Sequence, residues 1–176
     1  MSEAEKQLWE STLKHDEKLL WTGRPQATGM IDPANRSIVF IEFLLAAAWL
    51  VITLAMFASK ASSMFAIVIM ELPAIIIALL PLLDVRGVRN SIYAITDRRV
   101  IVKCGNDDYS MEYGRGTAVE KRANQTVCIG KAVDIKPSQE RHYLLFHGVQ
   151  DDDKNCIGIV LYTTTDADGA VAVLKK

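Results

Sequence analysis

Two long apolar runs, separated by a short polar turn, stand out against alternating, well-punctuated sequence on either side. From Ser37 to Ala58, nineteen of 22 residues are apolar, the exceptions being Ser37, Glu42 and Thr53. From Met64 to Leu83, seventeen of 20 are apolar, the exceptions being Glu71, Pro73 and Pro81. At about 1.5 Å rise per residue each run makes a helix roughly 30 Å long, the thickness of the hydrocarbon core of a bilayer. Ser59-Lys60-Ala61-Ser62-Ser63 joins them as a tight polar turn. The pattern predicts a transmembrane helical hairpin with spans 37–58 and 64–83. Two such helices buried in a soluble protein would need more surrounding chain than 176 residues provide.

The flanks read differently. In 1–36, Ser2 and Glu5 have the spacing of a capping box, and Leu8, Trp9, Leu13, Leu19 and Leu20 form an incomplete apolar stripe. The polar face of this amphipathic helix is as acidic as it is basic, which favours docking on the C-terminal part over lying on a membrane. Gly23-Arg24-Pro25 breaks the helix, and the stretch to Asn35 connects it to the first span. In 84–176, short β-branched or aromatic runs repeat: Ser91–Ile95, Val100–Cys104, Tyr109–Tyr113, Thr117–Lys121, Thr126–Ile129, Ala132–Ile135, Tyr143–Val149 and Cys156–Tyr162. Close spacing without intervening helices argues for antiparallel pairing. Thr165 or Asp166 then caps a helix with an apolar face of Ala167, Ala170, Val171, Val173 and Leu174. The expected fold is an α+β membrane protein: a two-helix hairpin followed by a small antiparallel β-barrel or bent sandwich of about seven strands, closed by the C-terminal helix.

Composition sharpens this division. The chain is 50% hydrophobic with mean hydropathy +0.15, yet 36 of those apolar residues lie in the 42 positions of the two runs. The remainder is less apolar than an ordinary globular chain. A net charge of −1 gives no pull toward nucleic acid. Three cysteines cannot all pair, which argues for a reducing compartment. The first 36 residues carry five basic and six acidic residues and no apolar core, so no cleavable signal is expected there. Arg24 and Arg36 precede the first run and Arg86, Arg89, Arg98 and Arg99 follow the second, whereas the turn holds only Lys60. Lys and Arg bias places both termini in the cytoplasm.

Candidate chemistry is sparse. Glu42 and Glu71 are the ionisable residues within the runs, Glu71 level with Trp49 to Thr53 on the opposite helix. Thr53 or the Trp49 indole is therefore its expected partner. Intramembrane carboxylates are functional candidates by default. One reading is a proton or ion site in an oligomer. The favoured one is a protonated Glu71 in an interhelical hydrogen bond, with Glu42 reaching to the headgroups. Arg86, Arg89, Arg98, Arg99 and Lys103, against Asp84 and Asp97, give +3 over twenty residues beside the inner leaflet, where each basic residue gains on the order of 1 kcal/mol from anionic lipid. His142 and His147, five apart, point to opposite faces of a strand, and Cys104, Cys128 and Cys156 are isolated, so neither set has zinc spacing. Asp107-Asp108 and Asp151-Asp152-Asp153 read as acidic hairpin tips before calcium sites. Gly114-Arg115-Gly116 lacks the rest of a phosphate loop. No cofactor, metal or enzymatic activity is expected.

Leu20-Trp21-Thr22-Gly23-Arg24-Pro25, the paired apolar runs, Tyr93-Ala94-Ile95-Thr96-Asp97-Arg98-Arg99-Val100-Ile101-Val102 and the closing Asp166-Ala167-Asp168 helix resemble the bacterial membrane-anchored proteins with a pleckstrin-homology-like domain. The stretch from Gly105 to Arg141 adds nothing to the resemblance. It implies a pleckstrin-homology-like fold for 84–176 and an address in the bacterial inner membrane, but no activity. The function expected is non-enzymatic: a module displayed at the cytoplasmic face for protein assembly or for sensing anionic phospholipid headgroups. Its partners would be the bilayer and a protein, including a further copy of the chain. The alternative is an oligomeric channel or transporter subunit built on Glu71.

Overall fold

The computed structural model describes residues 8–9, 11–26, 29, 36–59, 64–105 and 107–176. The Ser2–Glu5 capping box, the turn at 60–63 and most of the connector after 26 lie outside them. The chain folds as two four-stranded antiparallel sheets and two long helices. Strand β1 (Leu19–Gly23) precedes α1 (Arg36–Ala58) and α2 (Met64–Arg89). After them come β2 (Ser91–Thr96), β3 (Arg99–Cys104) and β4 (Asp107–Glu112), which complete a sheet of order β1-β2-β3-β4. The second sheet, of order β5-β6-β8-β7, is built from β5 (Val119–Lys121), β6 (Val127–Gly130), β7 (Val149–Gln150) and β8 (Cys156–Leu161). A short helix α3 (Glu140–Leu145) lies between β6 and β7, and α4 (Ala167–Leu174) ends the chain. The sheets do not close into a barrel.

Alternation along β2 and β3 decides what each face of the first sheet covers. Tyr93, Ile95, Val100 and Val102 turn toward the second sheet and meet Val127, Ile129, Ile159 and Leu161 in one fully buried cluster. Ala94 and Ile101 turn the other way and bury Trp9, with Leu13, Leu19 and Ile92 beside it. The N-terminal apolar stripe thus docks on the sheet. Its later part is not helical, however: Leu19–Gly23 pairs with β2, Trp21 opposite Ile95 and Gly23 opposite Tyr93. The helical hairpin is consequently inserted between two neighbouring strands. Only Asn90 separates α2 from β2.

Two expected strands are absent. Ala132–Ile135 is a 3₁₀ turn over Lys131–Asp134, because Gly130 ends β6 at φ +63, where an added Cβ would stand 2.5 Å from the Ile157 carbonyl oxygen. The Val133 and Ile135 carbonyls accept from Arg122 Nη2 at 3.0 and 2.8 Å, so they are not offered to a neighbouring strand. Tyr143–Val149 opens in the last residues of α3, which buries Glu140, Arg141 and Leu144, then turns over 146–148, and only Val149–Gln150 is strand. At the end of the chain Asp166 does cap α4, its Oδ1 accepting Gly169 N–H at 3.0 Å.

α1 and α2 run antiparallel along each other, with Thr53 meeting Glu71 and Glu42 sharing a cavity with Asp84. Val39, Thr53, Ala74 and Pro81 mark the buried seam. Val39–Ala58 is long and apolar enough to cross a membrane, with mean hydropathy 2.3 and 11% of its most apolar window buried.

Candidate functional site

The structure divides the expected basic patch. Arg86 and Arg89 are exposed on the last turns of α2, where they also complement the helix dipole. Lys103 lies near them at the end of β3, opposite Asp108 of β4. Arg98 is exposed at the β2–β3 turn, six strand residues from the helix end and so roughly 20 Å away.

Arg99 is turned inward. Its Nε and Nη2 donate to Glu17 Oε1 and Oε2, its Nη1 donates to Ser110 Oγ at 3.3 Å, and its Nη2 also reaches the Thr12 carbonyl at 3.4 Å. Thr96 Oγ1 donates to Glu17 Oε1 at 2.8 Å and accepts from the backbone N–H groups of Arg98 and Arg99. Asp97 Oδ1 accepts from Lys18 N–H at 2.9 Å. The Thr96-Asp97-Arg98-Arg99 turn is therefore a latch for 12–18, and of its two arginines Arg98 is the one left exposed. Bonding to Arg99 holds the Glu17 carboxyl down at about 2 against the ordinary 4.5, in spite of its burial. Sequence reasoning missed Glu17 because a helical reading of this segment leaves it on a solvated face.

Within the helix pair, Thr53 Oγ1 donates to Glu71 Oε1 and also lies within hydrogen-bond distance of the Trp49 and Leu50 carbonyls. Thr53 is one of the two partners, with the Trp49 indole, that the depth count offered. Glu71 thus has an acceptor role inside one chain.

Glu42 stands elsewhere. It lines a cavity of about 330 Å³ with Val39 of α1, Asp84 of α2, Ser138 and Gln139 of a 3₁₀ turn (Pro137–Gln139), and Arg141 and His142 of α3. Successive helical residues diverge by about 100°, and this sets the geometry. Glu140, fully buried, faces the sheets and accepts from Arg122 Nη1 at 2.7 Å and Asn124 Nδ2 at 2.8 Å. Arg141, next along, faces the long helices: its Nη2 donates to the Pro81 carbonyl at 3.4 Å, and its Nε is 4.0 Å from Asp84 Oδ2. Tyr109 Oη donates to the Leu144 carbonyl at 2.8 Å and fixes the far end of α3. His142 stacks on Phe146, ring centroids 4.4 Å apart. The cavity therefore has two acidic side chains beside one guanidinium that is 96% buried, a formal net −1 from these three groups.

Of the two acids, sequence reasoning singled out Glu42 and counted Asp84 only as an offset to the basic patch. His142 was placed on a strand, and Arg141 acquires its role only through the α3–α2 contact. Asp84 carried a usable signal, an acid at the helix end where basic residues dominate. Among the described residues no group of three or more His, Cys, Asp or Glu is placed to hold a metal ion. Cys104, Cys128 and Cys156 are all free. Comparison with protein-family models, characterised proteins and solved structures finds no match to this chain.

Proposed function

We propose that this chain is a two-pass protein of the bacterial inner membrane, both termini cytoplasmic, whose helical hairpin anchors a pleckstrin-homology-like module. In this reading it works without catalysis, in protein assembly or headgroup sensing at the cytoplasmic face. The carrying observation is the exposure of α1. Phe43, Leu44 and Leu45, and again Leu50, Val51 and Ile52, are exposed at consecutive positions. Three consecutive positions sweep about 200° of a helix, so no single partner face covers them, whereas a hydrocarbon surround does. Ile75, Ile76, Leu79, Leu80, Leu82 and Leu83 extend the apolar surface over α2.

The direct passage from α2 into β2, together with β1 before the hairpin, supports rigid coupling between anchor and module. Arg86 and Arg89 then sit at headgroup level, while Arg98 is too far away to share the same leaflet contact. Reporter fusions test the topology: a cytoplasmic reporter is active at the C-terminus and inactive in the 59–63 turn. The opposite pattern overturns it.

The alternative, an oligomeric channel or transporter subunit using Glu71, is less well supported because Thr53 already engages that carboxylate within one chain. Ion flux in liposomes that Glu71→Gln abolishes would revive it.

A further inference from the structure

The Glu42, Asp84, Arg141 and His142 cavity lies at a definite depth. Glu42 is six residues into α1 and Asp84 five residues before the end of α2, so both lie within roughly 10 Å of the same end of the helix pair. On the two-pass reading above, which this inference requires, that depth is the inner headgroup layer.

At roughly 30 Å³ per water in the liquid, about 330 Å³ holds about ten water-sized groups, enough for an ammonioethyl phosphate. Two acids share the cavity with the buried Arg141, which makes it a poor host for an anionic glycerol or serine headgroup. Its net −1 instead suits a cation beside a phosphate. A primary ammonium brings three donors for carboxylate oxygens, whereas a trimethylammonium brings none. A guanidinium is suited to the oxygens of the accompanying phosphate.

We propose that this cavity binds the headgroup of an ethanolamine phospholipid, with Glu42 and Asp84 as acceptors of its ammonium and Arg141 facing its phosphate. The module would then be seated on its membrane by a zwitterionic lipid at the hairpin, not by an anionic one at the β2–β3 turn.

The test uses the full-length protein in detergent, loaded with phosphatidylethanolamine, phosphatidylcholine or phosphatidylglycerol and read by native mass spectrometry. Phosphatidylethanolamine should be retained over the other two by about tenfold or more. Glu42→Gln/Asp84→Asn should abolish that preference, and Arg98→Ala should keep it. If the double variant loses the wild-type near-ultraviolet circular dichroism, Glu42→Gln alone gives the reading. Equal retention of the three lipids by the wild type, or an unchanged preference in the variant, overturns the inference. Displacement of the lipid by soluble phosphoethanolamine at equal concentration also overturns it, by assigning the cavity to a free metabolite. Alkaline carbonate extraction separates the two levels: release of the protein from membranes defeats the two-pass reading itself. Retention without an ethanolamine preference defeats only this inference.

Discussion

Arg99 clamps Glu17 with two parallel hydrogen bonds, Nε to Oε1 at 2.8 Å and Nη2 to Oε2 at 2.9 Å, across 82 residues of chain. The Glu17 side chain is 1% exposed, so the pair is a buried one and its loss leaves a guanidinium stranded against the sheet.

Glu17→Gln should therefore destabilise the protein by about 3 kcal/mol, measured by denaturant unfolding of the full chain in detergent. The same pair sets an acid limit. Because the folded carboxyl sits at about 2 and the free one at 4.5, its stabilisation is complete above pH 4.5 and is lost as pH falls toward 2. The wild type should lose stability in that window more steeply than Glu17→Gln. Parallel acid profiles for the two would refute the clamp.

A second long-range contact joins the ends of the module. Trp21 Nε1 donates to Asp166 Oδ2 at 3.0 Å, while Oδ1 of the same carboxylate caps α4. Asp166→Ala removes both bonds and should cost about 1–2 kcal/mol. Asp166→Asn keeps one acceptor oxygen, so one of the two bonds survives, and should cost about half as much. Equal losses in thermal melts of the two variants would assign the effect to charge alone.

In the helix pair, Thr53→Val keeps the shape of the side chain but removes the hydroxyl bound to Glu71. Interhelical polar contacts of this kind average about 0.6 kcal/mol and reach about 1.7. A double-mutant cycle of Thr53→Val with Glu71→Ala should return a coupling in that range. Zero coupling would show the contact to be energetically empty.

Much of the architecture is legible in the sequence because it depends on local period and punctuation. The apolar runs, the β2–β3 pair around Thr96-Asp97-Arg98-Arg99 and the Asp166 cap all follow from neighbours in the chain. β1 is not legible: Leu19-Leu20-Trp21 extends a helical stripe as readily as a strand, and only pairing with β2 decides between them. Likewise Tyr143-Leu144-Leu145-Phe146 has strand composition, but Arg122 and Asn124, brought by another turn, hold Glu140 where a helix must begin. The basic patch divides for a related reason. Adjacent arginines looked equivalent until Glu17 claimed one of them.

Thiol chemistry gives a further check on the core. Cys128 is fully buried, and burial pushes its thiol up to about 12, while Cys104 and Cys156 are half-buried. A maleimide at neutral pH should modify Cys104 and, more slowly because burial pushes its thiol up too, Cys156 in the native protein, and reach Cys128 only after denaturation. Mapping the labelled peptides decides this, and native labelling of Cys128 would contradict the packing between the sheets.

The insertion of α1 and α2 between β1 and β2 also fixes an order of events during synthesis. Sixty-seven residues, 24–90, must be made after β1 before its partner strand exists. At about 5–20 residues per second that delay lasts several seconds, during which Leu19, Leu20 and Trp21 have no sheet to join. Synthesis of β2 ends the wait, and the closing of the β1–β2 edge becomes a checkpoint: until β1 has docked, β2 keeps an open edge, a ready template for pairing with another chain.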